Sequence, residues 1–359
     1  MKAVVRRGTE LVDTEIAEPV PGEGQALVST LVCGICGSDL HALHHLDHMI
    51  ALTSKAGGLE NLDPQQDVVF GHEFCAEVLD YGPGCTGTIK PGTRVVSVPA
   101  AFGPQGGELV GYSNRFPGGF AERMVLTEAM LLAVPNGLDA ERAALTEPMA
   151  VGEHAVAQAP LTPHSVCLVI GCGPVGLSVI SALKARGAGP VIATDLSPER
   201  RRAAEALGAD IVLDPSTHSP HERWEELDVP ATMASFSTSQ LMGRSIRDAV
   251  VFECVGVPGM IQTLIEKAPP TAAIIVVGVC MESDTIEPSL AINKQLSLKF
   301  VYGYSPEEFA ATLHDIAEGT RDVTALMSGT VGRSGVADAF RALSGGGGKI
   351  KVLVDPHRA

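Results

Sequence analysis

Residues 166–176 read Val-Cys-Leu-Val-Ile-Gly-Cys-Gly-Pro-Val-Gly. The first five are apolar and have the length of a buried strand. Gly171-Cys172-Gly173-Pro174-Val175-Gly176 then fits G-x-G-x-x-G, and an Ala/Leu/Val-rich helix runs on to Arg186. Gly171 permits a tight turn, Gly173 lets the backbone approach a pyrophosphate, and Gly176 lets the helix pack closely on the sheet. The helix N-terminus offers free N–H groups and a positive dipole end to the phosphates. Asp195 closes the next strand, PVIATD, 19 residues after Gly176. A carboxylate there binds ribose hydroxyls and repels a 2′-phosphate, so NAD is expected over NADP. Arg200, Arg201 and Arg202 follow. Such a run is a solvated helix face or a greeting for that phosphate; Arg200 is kept as a cofactor contact.

Working outward, strands IVL (211–213), AVVFECV (249–255) and AAIIVVGV (272–279) alternate with helices at 197–208 and 260–267. That spacing predicts a parallel sheet built by right-handed crossovers. Residues 214–248 carry no clear period beyond HERWEEL. Towards the N-terminus the texture is β-rich, with alternating segments at 26–32, 68–81 and 94–98 between Gly/Pro turns. After residue 295 alternation returns, with a helix at 306–318, a Gly run at 345–348 and a closing strand KIKVLV.

Composition narrows the class. The chain has 359 residues, enough for two domains. Net charge is −16, from 42 acidic against 26 basic residues, which excludes nucleic acid and anionic membrane as partners. No apolar run reaches the ~18 residues of a membrane span, and the start alternates without a signal-peptide core. A cytoplasmic protein is expected. The eight cysteines are scattered, as suits reduced thiols rather than a disulfide scaffold. Aromatics at 4% leave the core to Val, Ile, Leu and Ala.

The amino-terminal part carries Cys33-Gly-Ile-Cys36-Gly-Ser38-Asp39-Leu-His41, and later Gly71-His72-Glu73. CxxC read blind is a zinc-knuckle half, a redox pair or two core thiols. A knuckle needs a second pair, which is absent, and a redox pair belongs in a βαβ unit. One thiolate, one imidazole and a neighbouring carboxylate make a three-ligand site with an open position, the plan of a catalytic zinc.

GICGSDLH, GHEFCAEV, LTEPMAVGEHA (145–155), GCGPVG with Asp195, and ECVG (253–256) occur in one order over nearly the whole chain. In this the sequence resembles the zinc-dependent medium-chain alcohol and polyol dehydrogenases, nearest the sorbitol and butanediol dehydrogenase branch. The resemblance implies an α/β chain: a chaperonin-10-like β-rich catalytic domain (1–155), a Rossmann NAD-binding domain with a doubly wound parallel sheet (156–295), and a return to the catalytic domain (296–359). It implies Cys36 and His72 as zinc ligands, with Glu73 or Glu147 as the third. Ser38 would be the relay hydroxyl, passing the alcohol proton through the nicotinamide ribose to His41. Val255 and Gly256 would lie against the nicotinamide. A homodimer or homotetramer is expected, acting on a small alcohol or carbonyl substrate: a secondary alcohol, diol or polyol.

Two departures stand out. The lobe Pro99–Phe120 lacks the four cysteines that hold a structural zinc in many relatives, so one zinc per chain is expected. Between Cys36 and His72 lies an unusually long segment, with an insertion at roughly 44–67; His44, His45 and His48 are read there as a solvated or substrate-lining loop. Cys33, Cys75, Cys85, Cys167, Cys172, Cys254 and Cys280 are read as packing residues. Competing readings are an aldehyde (thiol-adduct) dehydrogenase of the same family, a zinc-free enone or quinone reductase, and a non-catalytic NAD-binding protein.

Overall fold

The computed structural model describes residues 1–59, 61–103, 106–345 and 348–359, so the Gly run expected at 345–348 lies partly outside the described residues. The chain forms two compact units, Met1–Glu147 with Phe309–Ala359, and Pro148–Glu308.

The second unit is built on a six-stranded sheet in which every pairing is parallel. Its spatial order is Ile211–Leu213, Val191–Thr194, Val166–Ile170, Ala249–Glu253, Ala273–Val276, Ser297–Phe300. Numbered along the chain this is 3-2-1-4-5-6, the doubly wound order, whose direction reverses beside Val166–Ile170. Strands buried on both faces need continuous apolar runs, and VCLVI, VIAT and AIIV are fully buried. One core face gathers Leu168, Val251, Ile274, Leu264 and Trp224.

The first unit holds a seven-stranded, mainly antiparallel sheet centred on the ten-residue strand Gln25–Gly34, which pairs with Glu73–Tyr81, Arg123–Thr127 and Lys351–Val354. The lobe after Ser97 contains the hairpin Ala100–Gly103/Gly106–Leu109. Ser113 fastens it without sulfur: its Oγ accepts the amides of Arg115 and Phe116 at 3.0 Å and donates to Glu108, which also pairs with Arg115. Gln25 Nε2 ties the hairpin to the sheet through the Phe102 carbonyl at 2.7 Å.

Several expectations are corrected. The units divide at 147/148 and 308/309, rather than at 155/156 and 295/296. From Pro148 onward the helix Thr146–Ala157 packs with the parallel unit: Ser178 Oγ donates to the Met149 carbonyl at 2.9 Å, and a Cβ on Gly152 would run into Ser178. At the other boundary, Ser297–Phe300 is the sixth parallel strand, and His154 Nδ1 lies 2.8 Å from Glu308. Residues 41–48, read as a loop, belong to the helix Gly37–Ser54, kinked at His45. Ala42, Leu43, Leu46 and Met49 form its buried stripe, while His41, His44, His45 and His48 are exposed. The illegible stretch contains a helix, Met233–Leu241, capped by Thr232. Cys85, Cys254 and Cys280, read as packing residues, are half-buried. No helix among the described residues is long and apolar enough to cross a membrane.

Candidate active site

In the first unit, Cys36 stands where the strand Gln25–Gly34 gives way to the helix beginning at Gly37. His72 and Glu73 stand at the start of the paired strand Glu73–Tyr81. Gly71 sets their approach: its φ is +102°, and a Cβ there would lie 2.8 Å from Cys33 Sγ. Adjacent antiparallel strands thus bring together residues far apart in sequence. Donor atoms of Cys36, His72 and Glu73 all lie within 4.8 Å of one another. Thiol, imidazole and carboxylate are the donors of a catalytic zinc site with a position left for a small molecule. Cys33 is fully buried, and burial pushes its thiol well above the ordinary range, so it suits packing.

Three further residues brace this cluster, and none was singled out in the sequence. Asp39 is fully buried in the first turn of the helix. Its Oδ2 accepts the Cys36 amide at 3.0 Å; its Oδ1 accepts the Tyr112 hydroxyl at 3.0 Å and lies 3.5 Å from His72 Nδ1. One carboxylate therefore fixes the Cys36 backbone and stands within ion-pair reach of the His72 imidazole, as outer partners of metal sites do. Burial pushes Asp39 up, against the pull of His72 and the Cys36 amide. Burial works against a cationic His72, yet Asp39, Cys36 and Glu147 outweigh it and hold that imidazole well above its usual value. His72 Nδ1 is buried without a hydrogen bond. Anionic surroundings of this kind suit a divalent cation.

Lys351 is the third. Its Nζ donates to both oxygens of Glu73 at 2.6 Å and to the Ile35 carbonyl at 2.9 Å, with both side chains only 1% exposed. Burial alone would lower its pKa; Glu73, and behind it Cys36, raise it on balance. Glu147 lends its charge to His72 and Lys351 but lies outside the 4.8 Å cluster. Ser38 is half-buried in the first helical turn, beside the Tyr112 hydroxyl, and His41 is exposed one turn on. A signal for Lys351 existed: a charged residue inside the apolar run KIKVLV. Asp39 and Tyr112 gave none beyond their neighbours.

In the second unit the glycine-rich loop forms as the motif demands. Gly171 has φ +88°, Gly173 caps the helix Pro174–Ala185 without a side-chain bond, and a Cβ on Gly176 would run into the Gly171 carbonyl. The amides of Val175 and Gly176 precede the first intrahelical bond, from Leu177 to the Gly173 carbonyl, and are left to a ligand, Pro174 having no N–H. Asp195 Oδ2 accepts the Cys172 amide and Oδ1 the Ser197 amide, each at 2.8 Å, which holds the carboxylate beside the loop. The three arginines separate. Arg200 Nη1 lies 3.9 Å from Asp195 and faces Gly173. Arg201 is spent on the Asp195 and Leu196 carbonyls and on Asp214. Arg202 pairs with Glu199 on the exposed face. Val255 is exposed and Gly256 half-buried, just past the strand Ala249–Glu253.

Comparison with known proteins identifies the family of the two-part fold. Residues 22–136 match the alcohol dehydrogenase GroES-like domain and residues 174–318 the zinc-binding dehydrogenase model. The chain is 34% identical over 352 residues to a (R,R)-butanediol dehydrogenase of Bacillus subtilis, covering 95% of each. It is 27% identical to a sorbitol dehydrogenase of the same organism, covering 100% of this chain and 98% of that one. The crystal structure of 2R,3R-butanediol dehydrogenase from Bacillus subtilis superposes with TM-score 0.78 at 30% identity over 99% of both chains. The chain belongs to the zinc-type medium-chain alcohol and polyol dehydrogenases, oxidoreductases built from a GroES-like domain and a Rossmann-like parallel sheet.

Proposed function

We propose that this chain oxidises a secondary alcohol, diol or polyol with NAD⁺ as hydride acceptor, using one zinc ion per chain. The observation that carries the reading is the convergence of Cys36, His72 and Glu73 within 4.8 Å inside an anionic, buried setting. Cys36 and His72 hold the metal, and a carboxylate, Glu73 or Glu147, is its third protein ligand. Bound zinc supplies a Lewis acid that lowers the pKa of a substrate hydroxyl. Ser38 takes that proton and His41, exposed on the same helix, releases it to water. The substrate C–H leaves as hydride, two electrons with one proton, so alcohol and NAD⁺ become carbonyl, NADH and H⁺.

The Pro148–Glu308 unit binds the cofactor through Gly171, Gly173, Pro174, Val175, Gly176, Asp195, Arg200, Val255 and Gly256. The support for NAD over NADP is that the Asp195 carboxylate, held beside the glycine-rich loop, would repel a 2′-phosphate, while Arg201 and Arg202 are paired with Asp214 and Glu199. The diol preference is supported by the likeness to a (R,R)-butanediol dehydrogenase. Cytoplasmic location and a homodimer or homotetramer complete the reading. Phe300 and Tyr302, 67% and 87% exposed at and just past the open edge strand of the parallel sheet, support assembly of copies.

The test is elemental analysis of purified protein, with NAD⁺ and NADP⁺ reduction over a panel of alcohols, diols, polyols and aldehydes. About one zinc per chain is expected, with Cys36→Ser losing the metal and at least about a thousandfold of kcat/KM, roughly 4 kcal/mol of transition-state stabilisation. Turnover indifferent to Cys36→Ser would sink the metal mechanism.

A further inference from the structure

Three loops follow the carboxyl ends of neighbouring strands in the Pro148–Glu308 unit, and one buried side chain reaches two of them. Glu253 ends the strand Ala249–Glu253 and is 1% exposed. Its Oε1 accepts the amides of Val255 at 2.7 Å and Gly256 at 2.9 Å. Its Oε2 faces the loop after Ala273–Val276, where a Cβ on Gly278 would lie 2.6 Å away. The Glu253 backbone carbonyl takes the Val277 and Gly278 amides, both at 2.9 Å. Gly256, at φ +70°, sits so close to Val279 that a Cβ would come within 2.7 Å of its backbone N and O. The glycine-rich loop joins from the other side: the Cys254 amide donates to the Ile170 carbonyl at 2.9 Å, and a Cβ on Gly171 would meet Val255 Cγ2.

This is an unusual use of a carboxylate. Burying one costs several kcal/mol unless the charge is met, and here main-chain amides meet it. Burial pushes its pKa up, while the amides of Gly256, Val255 and Gly278 pull it back. A carboxylate that only accepts is suited by N–H donors in its ionised form. A fixed charge in low-dielectric surroundings acts over several ångströms.

We propose that Glu253 is a positioning residue for the nicotinamide end of the cofactor: it locks the loops at 254–257 and 277–279 into one edge, and its negative charge favours the cationic ring of NAD⁺ over the neutral ring of NADH. The inference rests on the reading above that Val255 and Gly256 border the nicotinamide. A carboxylate that only held loops together would support both redox forms alike, so the two forms must be compared.

The experiment titrates the purified full-length protein and its Glu253→Gln variant with NAD⁺, NADH and ADP-ribose by calorimetry. ADP-ribose, which lacks the nicotinamide, is expected to bind the variant within about twofold of the wild type; NADH weakens about threefold and NAD⁺ about tenfold or more. Equal weakening of NAD⁺ and NADH, or none, overturns the proposal. A wild-type protein that binds neither NAD⁺ nor NADH sinks the proposed function itself, so the two failures are told apart. Should the variant fail to fold, hydrogen exchange on the wild type decides: the Val255 and Gly256 amides are expected to exchange as slowly as those of Val250–Phe252, and fast exchange overturns the clamp.

Discussion

The two candidate sites are assembled by opposite means. The dinucleotide site is made largely of main chain: a glycine turn, open helix amides and loops at the ends of adjacent strands, most of it within residues 171–176. The metal site is made of side chains drawn from positions 36, 39, 72, 73, 112, 147 and 351, which meet only because the antiparallel sheet folds them together. A main-chain site needs small residues at fixed spacing. A side-chain site needs partners, and each charge buried there must be answered by another.

The largest expected effect tests that last statement. In metal-free protein, Lys351→Met leaves the Glu73 carboxylate buried without its partner, which costs about 3–5 kcal/mol of stability. Urea unfolding checks it, and the double variant Lys351→Met, Glu73→Leu is expected to recover most of the loss. If the single variant is as stable as the wild type, the metal side does not depend on paired charges. The next probe strikes the main-chain side. Gly176→Ala drives a methyl group into the Gly171 carbonyl, and the loop must shift. NAD⁺ affinity is expected to fall about a hundredfold, close to 2.7 kcal/mol, with zinc content unchanged. Loss of zinc in that variant would show that the two sites are not separately built.

The smallest effect separates the units by pH. Burial, and then Lys267 and Lys294, lower His221 in the second unit from 6.5 to about 4. Below pH 6.5 the unfolded chain takes up a proton that the folded unit refuses. Stability is therefore unaffected by this group above pH 6.5 and falls as pH drops towards 4, by about 1.4 kcal/mol per unit, or about 2 kcal/mol by pH 5. His221→Gln is expected to flatten that slope in urea melts between pH 6.5 and 5. An unchanged slope would show that His221 takes up its proton as readily in the fold as in the unfolded chain.

The same contrast explains what the sequence disclosed. The glycine-rich loop and the parallel strands were legible because fully buried strands and close backbone approach leave contiguous signals. Cys36, His72 and Glu73 were legible as motifs, although their convergence is a property of the sheet. Asp39 and Tyr112 were not, because the contact between them joins segments 73 residues apart, and Lys351 showed only as a charge inside an apolar run, its partner Glu73 lying 278 residues away. Met233–Leu241 was missed since Ser and Thr compete with the backbone for hydrogen bonds and the helix buries no residue fully. The run of histidines at 41–48 hid a helix whose apolar stripe lies on its other side. Boundaries slipped by 8 and 13 residues because Pro148–Ala157 and 296–308 carry the texture of one unit and the contacts of the other.

The lobe after Ser97 holds together through Ser113, Glu108, Arg115 and Gln25, with neither cysteine nor methionine anywhere in residues 99–120. That stretch offers no thiol to alkylate and no thioether for peroxide to oxidise. Its fastenings are hydrogen bonds and an ion pair, which part and re-form in place in water.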